Sequence, residues 1–536
     1  MDYELDKVLE SANIAEMLDE DQLNKIGDSV VQGYNIDEES RSDWLSRYED
    51  YIRLAAQIKE DKTFPWPKAA NIKFPLLSTA SLQFAARAYP ALVPDRNPVK
   101  GKVIGYDADG QKSQKAQRIG MHMSYQITEQ MPDWEEDMDR LTFILPIAGT
   151  VFKKTYRDTV NNKNKSDLVL PDRLCVNYWS SSLETAQRIS HIIELYPNDV
   201  VSRKNSKTFL DVDLGEPKPL SKIAANDDVQ GAQEPSQTAD NSDDIPYTFI
   251  EQHTYLDLDD DGYKEPYVVT VEYETRRVVR IVARFDSTGI RYADDGKTIV
   301  EITPVQYFTK FSFIPNPDGG FYDLGFGLLL GSLNDTANTL INQLLDSGTL
   351  SNLQGGFLGK GLRIKGGMTS FQPGEWKVVQ STGDDLRKSI VPLPAKDPSP
   401  VLMQLLTAIV TSGKELASVA EIMTGKMPGQ NTPATTTMAS IEQGLKVFTA
   451  IYKRIYRSLT KEYKKLYRLN SIYTENEEYF SVIDENGQQQ GMQISAMDYR
   501  DDGTDVLPNS HESNITDTQK LMRAQVLMQL LPSGML

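Results

Sequence analysis

Apolar residues change their spacing from one region of this chain to the next, and the changes mark out its elements. Over the first sixty residues Leu5, Val8 and Leu9, then Trp44, Leu45, Tyr48 and Ile52, recur at three and four, which predicts helix over 3–60. A proline-punctuated loop, KTFPWPKAANIKFP (62–75), leads into the helix-like LLSTASLQFAARAYPALV. Residues 112–131 and 133–144 predict two more helices, the second opening at Asp133 after Pro132. From 147 the pattern turns to that of strands, in IAGTVFKKTYRD and LVLPDRLCVNYW. Residues 215–246, rich in Pro, Ser, Gln, Asn and Asp, have almost no large apolar side chains and read as a weakly ordered loop. Strands resume with YTFIEQHTYL, PYVVTVEYE and RVVRIVARF. The first 320 residues are therefore expected to form one α+β region with a loose insertion.

The second half runs on longer periods. Over 325–350, Leu329, Leu333, Ala337, Leu340, Ile341 and Leu344 share one helical face, and Asn334, Asp335, Asn338, Asn342 and Gln343 form a polar, mostly uncharged one. A Gly-rich strand-and-turn segment follows (354–394), carrying Lys360, Arg363 and Lys365. After DPSP, with Asp397 or Ser399 as cap, 401–423 reads as a second apolar-striped helix. The stretch GKMPGQNTPATTTMASIEQG (425–444) then breaks the helical pattern at Pro428 and Pro433, and Lys426 is its only charge before Glu442. From 434 to 468, Met438, Ile441, Leu445, Phe448, Tyr452, Ile455 and Leu459 alternate by three and four. A helix of that length runs about 50 Å. Such a stripe also suits a coiled coil, but the loop and helices before it favour packing within an assembly.

Composition narrows the class. A hydrophobic content of 39% over 536 residues is that of an ordinary globular protein with a sizeable core. The longest apolar run, 141–152, is broken by Pro146 and falls short of the roughly 20 residues a membrane helix needs. The acidic start, MDYELDKVLE, lacks a signal-peptide pattern. With Cys175 as the single cysteine no intrachain disulfide can form, so a buried, inert thiol and intracellular assembly are expected.

A net charge of −19 argues against a protein that grips DNA through many Lys and Arg contacts. The charge is uneven: residues 1–62 are strongly acidic, whereas 446–468 hold Lys446, Lys453, Arg454, Arg457, Lys461, Lys464, Lys465 and Arg468 against Glu462 alone. Two solvated faces, or a contact between them across a subunit boundary, would each account for this.

Catalytic signatures are thin. His122, His191, His253 and His511 have no metal-ligand spacing, and HExxH and GxSxG do not occur. Gly296-Lys297-Thr298 has Arg291 where a phosphate-cradling loop needs glycine, so it reads as a turn entering a strand. No enzymatic role and no cofactor are expected. One stretch, LDLDDDGYKEPYV, places Asp257, Asp259 and Asp261 at positions one, three and five of a loop with Gly262 at six, the alternation that can converge on Ca²⁺. Position twelve is Val268 rather than Glu, and Asp-Gly between strands is itself a hairpin signal. The turn therefore reads first as structural, with Ca²⁺ as an optional ligand.

The order helix, small β-segment, helix, flexible loop, long helix resembles the core of tailed-bacteriophage portal proteins, the head–tail connector family. FPWPKAANIKFPLLSTASLQFAARAYPALV resembles the family's N-terminal signature, MPDWEEDMDRLTFILPIAGTVFKKTYRD and VLPDRLCVNYW its wing, and DLDDDGYKEPY its acidic hairpin. DVLPNSHESNITDTQKLMRAQVLMQLL resembles the approach to a C-terminal crown, which would be short here. The likeness covers most of the chain from about residue 60 and lies in the sequence of elements.

It implies an α+β portal fold: an α/β wing (1–324), stem helices at 325–353 and 397–423 around a clip (354–396), a tunnel loop (424–433), a long wing helix (434–470) and a C-terminal wing and crown region (471–536). The implied function is a homo-oligomeric ring, a dodecamer by family expectation, at one capsid vertex of the virion, assembled in the host cytoplasm without membrane contact. Double-stranded DNA would pass through it during packaging and ejection. Its partners would be the large terminase subunit, the major capsid or scaffolding protein, and head–tail adaptor or neck proteins. Lys426, Gln430, Asn431, Thr432 and Thr435 would touch DNA at the tunnel loop, Asn334, Asn338 and Asn342 would face the channel, and Lys360, Arg363 and Lys365 would dock partners. The rival readings are a head–tail adaptor or tail component without a gating loop, and a Ca²⁺- or nucleotide-dependent enzyme. Particle shape and turnover assays would separate them.

Overall fold

The computed structural model describes residues 5–509 except 60–65, 67–68, 95–96, 219–244, 260, 294–298, 353–355, 359–361, 365–378, 382–389, 393–397, 417–433, 475–476, 484–488 and 501–502. Helices and strands are mixed, as an α+β chain requires. The helices that matter below are α1 (Leu5–Glu10), α2 (Glu20–Ser40), α3 (Ser42–Ala55), α4 (Leu76–Leu92), α5 (Gln111–Tyr125), α6 (Asp133–Ala148), α7 (Pro197–Asn205), α8 (Phe326–Asn352), α9 (Pro400–Leu416) and α10 (Ala434–Tyr473). Two compact units divide the chain: residues 1–56, 77–329 and 418–536 form the first, and 57–76 with 330–417 form the second.

The first unit contains a five-stranded antiparallel meander, Leu174–Val176, Ile189–Leu195, Tyr247–Leu256, Glu265–Glu272 and Val278–Ala283, each strand beside its neighbour in sequence. Burying an apolar face of such a sheet needs a cover, and the acidic N-terminal helices supply it. Val8, Ile14, Val30, Val31 and Tyr34 pack with Ile192, Ile250, Tyr267, Val269, Val271 and Ile281. A capping box starts α2: Asp19 Oδ1 accepts from Gln22 N–H at 2.7 Å, and Gln22 returns the bond to Asp19 N–H at 3.3 Å. Arg41, at the α2–α3 junction, is buried because its guanidinium donates to the carbonyls of Pro171, Asp172 and Leu174 at 2.7, 2.9 and 2.8 Å.

Helix α10 is 40 residues long, about 60 Å at 1.5 Å per residue. Its stripe does not make a coiled coil over the residues whose side chains are described. Ile451, Ile455, Leu459, Tyr463 and Leu466 are buried in the same unit, and the helix runs against the sheet Phe308–Ser312, Thr150–Asp158, Lys163–Val169. Nearby, Val99–Val103 pairs antiparallel with Thr504–Pro508, far apart in sequence. Helix α5 lies on this ladder so closely that a Cβ at Gly101 would sit 1.9 Å from the Ala116 carbonyl oxygen, which only glycine allows.

In the second unit α8 and α9 meet through a seam of Ala337, Leu340 and Leu406, flanked by Ile341, Leu344, Leu402, Ile409, Val410 and Phe74. Pro400 opens α9, where its missing N–H costs no hydrogen bond. Between the helices the Gly-rich segment forms nested ladders: Gly356–Leu358 pairs with Ile390–Pro392, and Leu362–Ile364 with Val379–Ser381. The segment 57–76, expected to belong with the N-terminal region, is grouped with α8 and α9 instead.

Candidate functional site

The polar face of α8 is two faces. Asn334, Asn338 and Asn342 are 1%, 7% and 4% exposed, so they form no open surface of the chain. The expectation that they face a channel is corrected. Asn338 Oδ1 accepts from the Phe74 N–H at 2.6 Å, Asn342 Oδ1 from Ile72 N–H at 2.7 Å, and Asp346 Oδ1 from Ala70 N–H at 2.8 Å. Asn342 also donates from Nδ2 to the Ile72 carbonyl at 3.0 Å, serving as a strand neighbour would. The reason is a match of repeats. Four helical residues advance about 6 Å, and two extended residues about 6.6 Å. A helix face with acceptors every fourth residue can therefore satisfy alternate N–H groups of an extended chain.

The polar residues that α8 exposes include Ser332, Asp335, Thr336, Thr339 and Gln343. The helix contains no Lys or Arg. Thr336 and Thr339 donate their hydroxyls to the carbonyls of Ser332 and Asp335 at 2.7 and 3.0 Å, so their donors are already used within the helix. Of the polar, mostly uncharged face that sequence periodicity marks out, Asp335 and Gln343 are exposed and the three asparagines are buried.

On α9, the residues that face away from the seam mix polar side chains, among them Gln404, Thr407, Thr411, Lys414 and Glu415, with apolar ones. Val401, Met403, Leu405 and Leu416 are 68%, 56%, 46% and 50% exposed. Leu345 and Leu350 on α8 are likewise exposed.

Of the residues expected to dock partners, Arg363 lies in the strand Leu362–Ile364 opposite Gln380, whereas Lys360 and Lys365 lie outside the described residues. Among the expected DNA-contacting residues, Thr435 falls in the first turn of α10. Lys426, Gln430, Asn431 and Thr432 lie outside the described residues, as do His511, Asp397, Gly296-Lys297-Thr298, most of the 215–246 loop and the crown segment beyond 509.

The acidic hairpin is described except at one position. Carboxylate oxygens of Asp257, Asp259 and Asp261 lie within 4.8 Å of one another. Asp257 Oδ2 accepts from Gly262 N–H at 3.0 Å across the loop, and Gly262 takes a φ of +90°, which favours glycine. Glu265, not singled out in the sequence, begins the next strand opposite Leu256 and is 6% exposed. Burial, followed by the charges of Asp259, Asp261 and Asp257, pushes its carboxyl up to about 7.

The basic run on α10 is largely answered inside its own unit. Lys461 pairs with Glu184 at 2.8 Å, Lys464 with Asp505 at 2.9 Å, and Arg468 with Asp286. Arg454 donates to the Phe313 carbonyl at 2.7 Å. Lys465 bonds Thr309 Oγ1 at 2.6 Å, and burial draws its ammonium down to about 7. These side chains line a cleft of about 860 Å³. The acidic N-terminal residues find other cations: Glu20 meets Arg277, Asp28 meets Arg276, and Asp37 holds Arg188 through two bonds of 2.9 and 3.0 Å. Within one chain, then, the two charged segments do not need each other.

Glu462 is fully buried, 3.1 Å from Lys153, and its Oε1 accepts from Trp134 Nε1 at 2.8 Å and Ser166 Oγ at 2.6 Å. Burial lowers His191 and His253 to about 3 and 4, so both are neutral core groups at pH 7. Cys175 is buried, and its thiol is pushed up to about 12 by burial, which leaves it inert as expected.

No protein-family model matches this chain, and comparison with curated proteins yields no match. No described helix is long and apolar enough to cross a membrane.

Proposed function

We propose that this chain is the subunit of a portal ring, a closed homo-oligomer at one capsid vertex through which double-stranded DNA is packaged and ejected. The observation that carries the reading is the second unit. It is two long helices joined by short nested ladders, sealed together along one seam and leaving Val401, Met403, Leu405 and Leu416 exposed on the second helix. Apolar side chains left exposed on a helix that already packs one seam call for a second neighbour. In a ring, an identical subunit meets it by a heterologous contact that closes on itself.

The conduit role rests on α8. Each cation along a path for DNA is a phosphate contact that must be broken as the duplex advances. The exposed stripe at Ser332, Thr336, Thr339 and Gln343 offers none, and its threonine hydroxyls are bonded to their own helix. The terminase motor and later adaptor or neck proteins would dock on the nested ladders, where Arg363 lies. In this reading the tunnel loop and the dodecameric count are family expectations.

Replacing Thr336 and Thr339 together by Lys tests the conduit. Assembly into particles should be unchanged. DNA packaged per unit time should fall, most at low ionic strength, and recover partly as salt rises. Packaging equal to wild type at every salt concentration would remove this stripe from the DNA path.

A further inference from the structure

We propose that the first unit holds an anion site, a cavity of about 250 Å³ lined by Lys154, Arg157, His253 and Arg280, which takes a small phosphomonoester. It lies where the second face of the meander meets the strand Thr150–Asp158 and the end of α10. The inference rests on this cavity alone and stands apart from the portal reading.

The sheet register builds the site. Directly paired residues of antiparallel strands project to the same face. His191 pairs with Glu251, Glu251 with Thr270, and Thr270 with Arg280, so one polar row crosses four strands. Two residues along, His253, Val268 and Val282 form the next row on that face. The alternate residues Ile250, Val269 and Ile281 fill the opposite face, under the N-terminal helices. One face of the meander is thus ordinary core, and the other carries charge into a cavity.

Three cations line the cavity, Lys154, Arg157 and Arg280, against the single carboxylate of Glu251. That carboxylate is taken, because Lys154 Nζ lies 2.6 and 2.8 Å from its two oxygens. Arg280 has no hydrogen-bond or ion-pair partner among the described residues, and its Nε is buried. Arg157 donates to Asn162 and Asn164 at 2.6 and 3.1 Å through its terminal nitrogens, which leaves its Nε buried without an acceptor. His253 is 1% exposed, and neither ring nitrogen makes a hydrogen bond, the nearer lying 3.4 Å from Glu251. Buried donors without acceptors are costly, and an anion in the cavity supplies the acceptors that the chain does not.

Charge and size set the class of ligand. A surplus of two positive charges matches a phosphomonoester, which is nearly dianionic at neutral pH and above. Guanidinium forks also suit phosphate oxygens. Drug-sized ligands fill roughly 300–1,000 Å³, so this cavity takes something smaller. Phe285, Tyr307, Leu469 and Tyr473 close its other walls, which fits a phosphate carried on a small ring.

The test uses the full-length chain at pH 7.5 and constant ionic strength, with phenyl phosphate, inorganic phosphate and benzoate as probes. Phenyl phosphate should raise the unfolding temperature increasingly with its concentration, as binding to the folded state requires. In calorimetric titration it should bind about tenfold or more tightly than inorganic phosphate, which lacks the ring, and than benzoate, which carries one charge. Arg280→Gln should weaken phenyl phosphate binding by about tenfold or more. Without ligand, the same variant should unfold at or above the wild-type temperature, because the cation it removes has no partner. Arg157→Gln should weaken binding likewise, and it keeps the test valid should Arg280→Gln impair folding. No shift and no heat of binding at about 10 mM phenyl phosphate would overturn the site. So would affinity for either other probe equal to that for phenyl phosphate, or binding unchanged in both variants.

Discussion

Glu462 stands out in the sequence by its charge. It is the single acid among eight cations between 446 and 468, and it is the one turned fully inward, against Lys153, Trp134 and Ser166. Exposed lysines and arginines on that helix tolerate many partners, whereas a buried carboxylate must have all of its own. Glu462→Ala should destabilise the first unit by about 3–5 kcal/mol, because Lys153 is left charged and buried without a counterion. Lys153→Met combined with Glu462→Leu should recover part of that loss, although the Trp134 and Ser166 donors then lack their acceptor. Urea unfolding of the three proteins measures this; single and double variants all within about 0.5 kcal/mol of wild type would contradict it. Glu265 was not legible in the same way. Its neighbours EPYVV read as the start of a strand, and only the fold shows that this strand's first side chain is buried.

At the scale of elements, most of the pattern was legible and most of the neighbours were not. The apolar repeats located α2, α3, α8, α9 and α10, and the glycine-rich interval its short strands. They could not say that the stripe of α10 packs on a sheet of its own chain, since sheet, coiled coil and subunit interface all want the same period. The asparagines of α8 are the clearest case. Polar residues every fourth position mark a face, and water is the usual occupant of such a face. Here the occupant is the extended segment 70–74, whose N–H groups would otherwise be unsatisfied. Asn338→Ala with Asn342→Ala should therefore release the amides of Phe74 and Ile72. Their hydrogen exchange should accelerate, with a stability loss of roughly 1–2 kcal/mol per site. If these side chains served only as a channel lining, both amides would stay as protected as in wild type.

At the scale of the whole molecule, the charge of −19 and the uncovered apolar positions of α9 point the same way. A strongly negative chain does not hold DNA tightly, and exposed Val401, Met403 and Leu405 call for a protein neighbour. Composition and element order carried the reading this far in sequence, but the exposed side of α9 became visible only once its seam with α8 was fixed. The central claim is closure into a ring. Electron microscopy of the purified full-length protein at micromolar concentration and physiological salt tests it most directly. Closed particles of cyclic symmetry around an open central channel are predicted. A monodisperse monomer, or a compact oligomer with no channel, would contradict the claim.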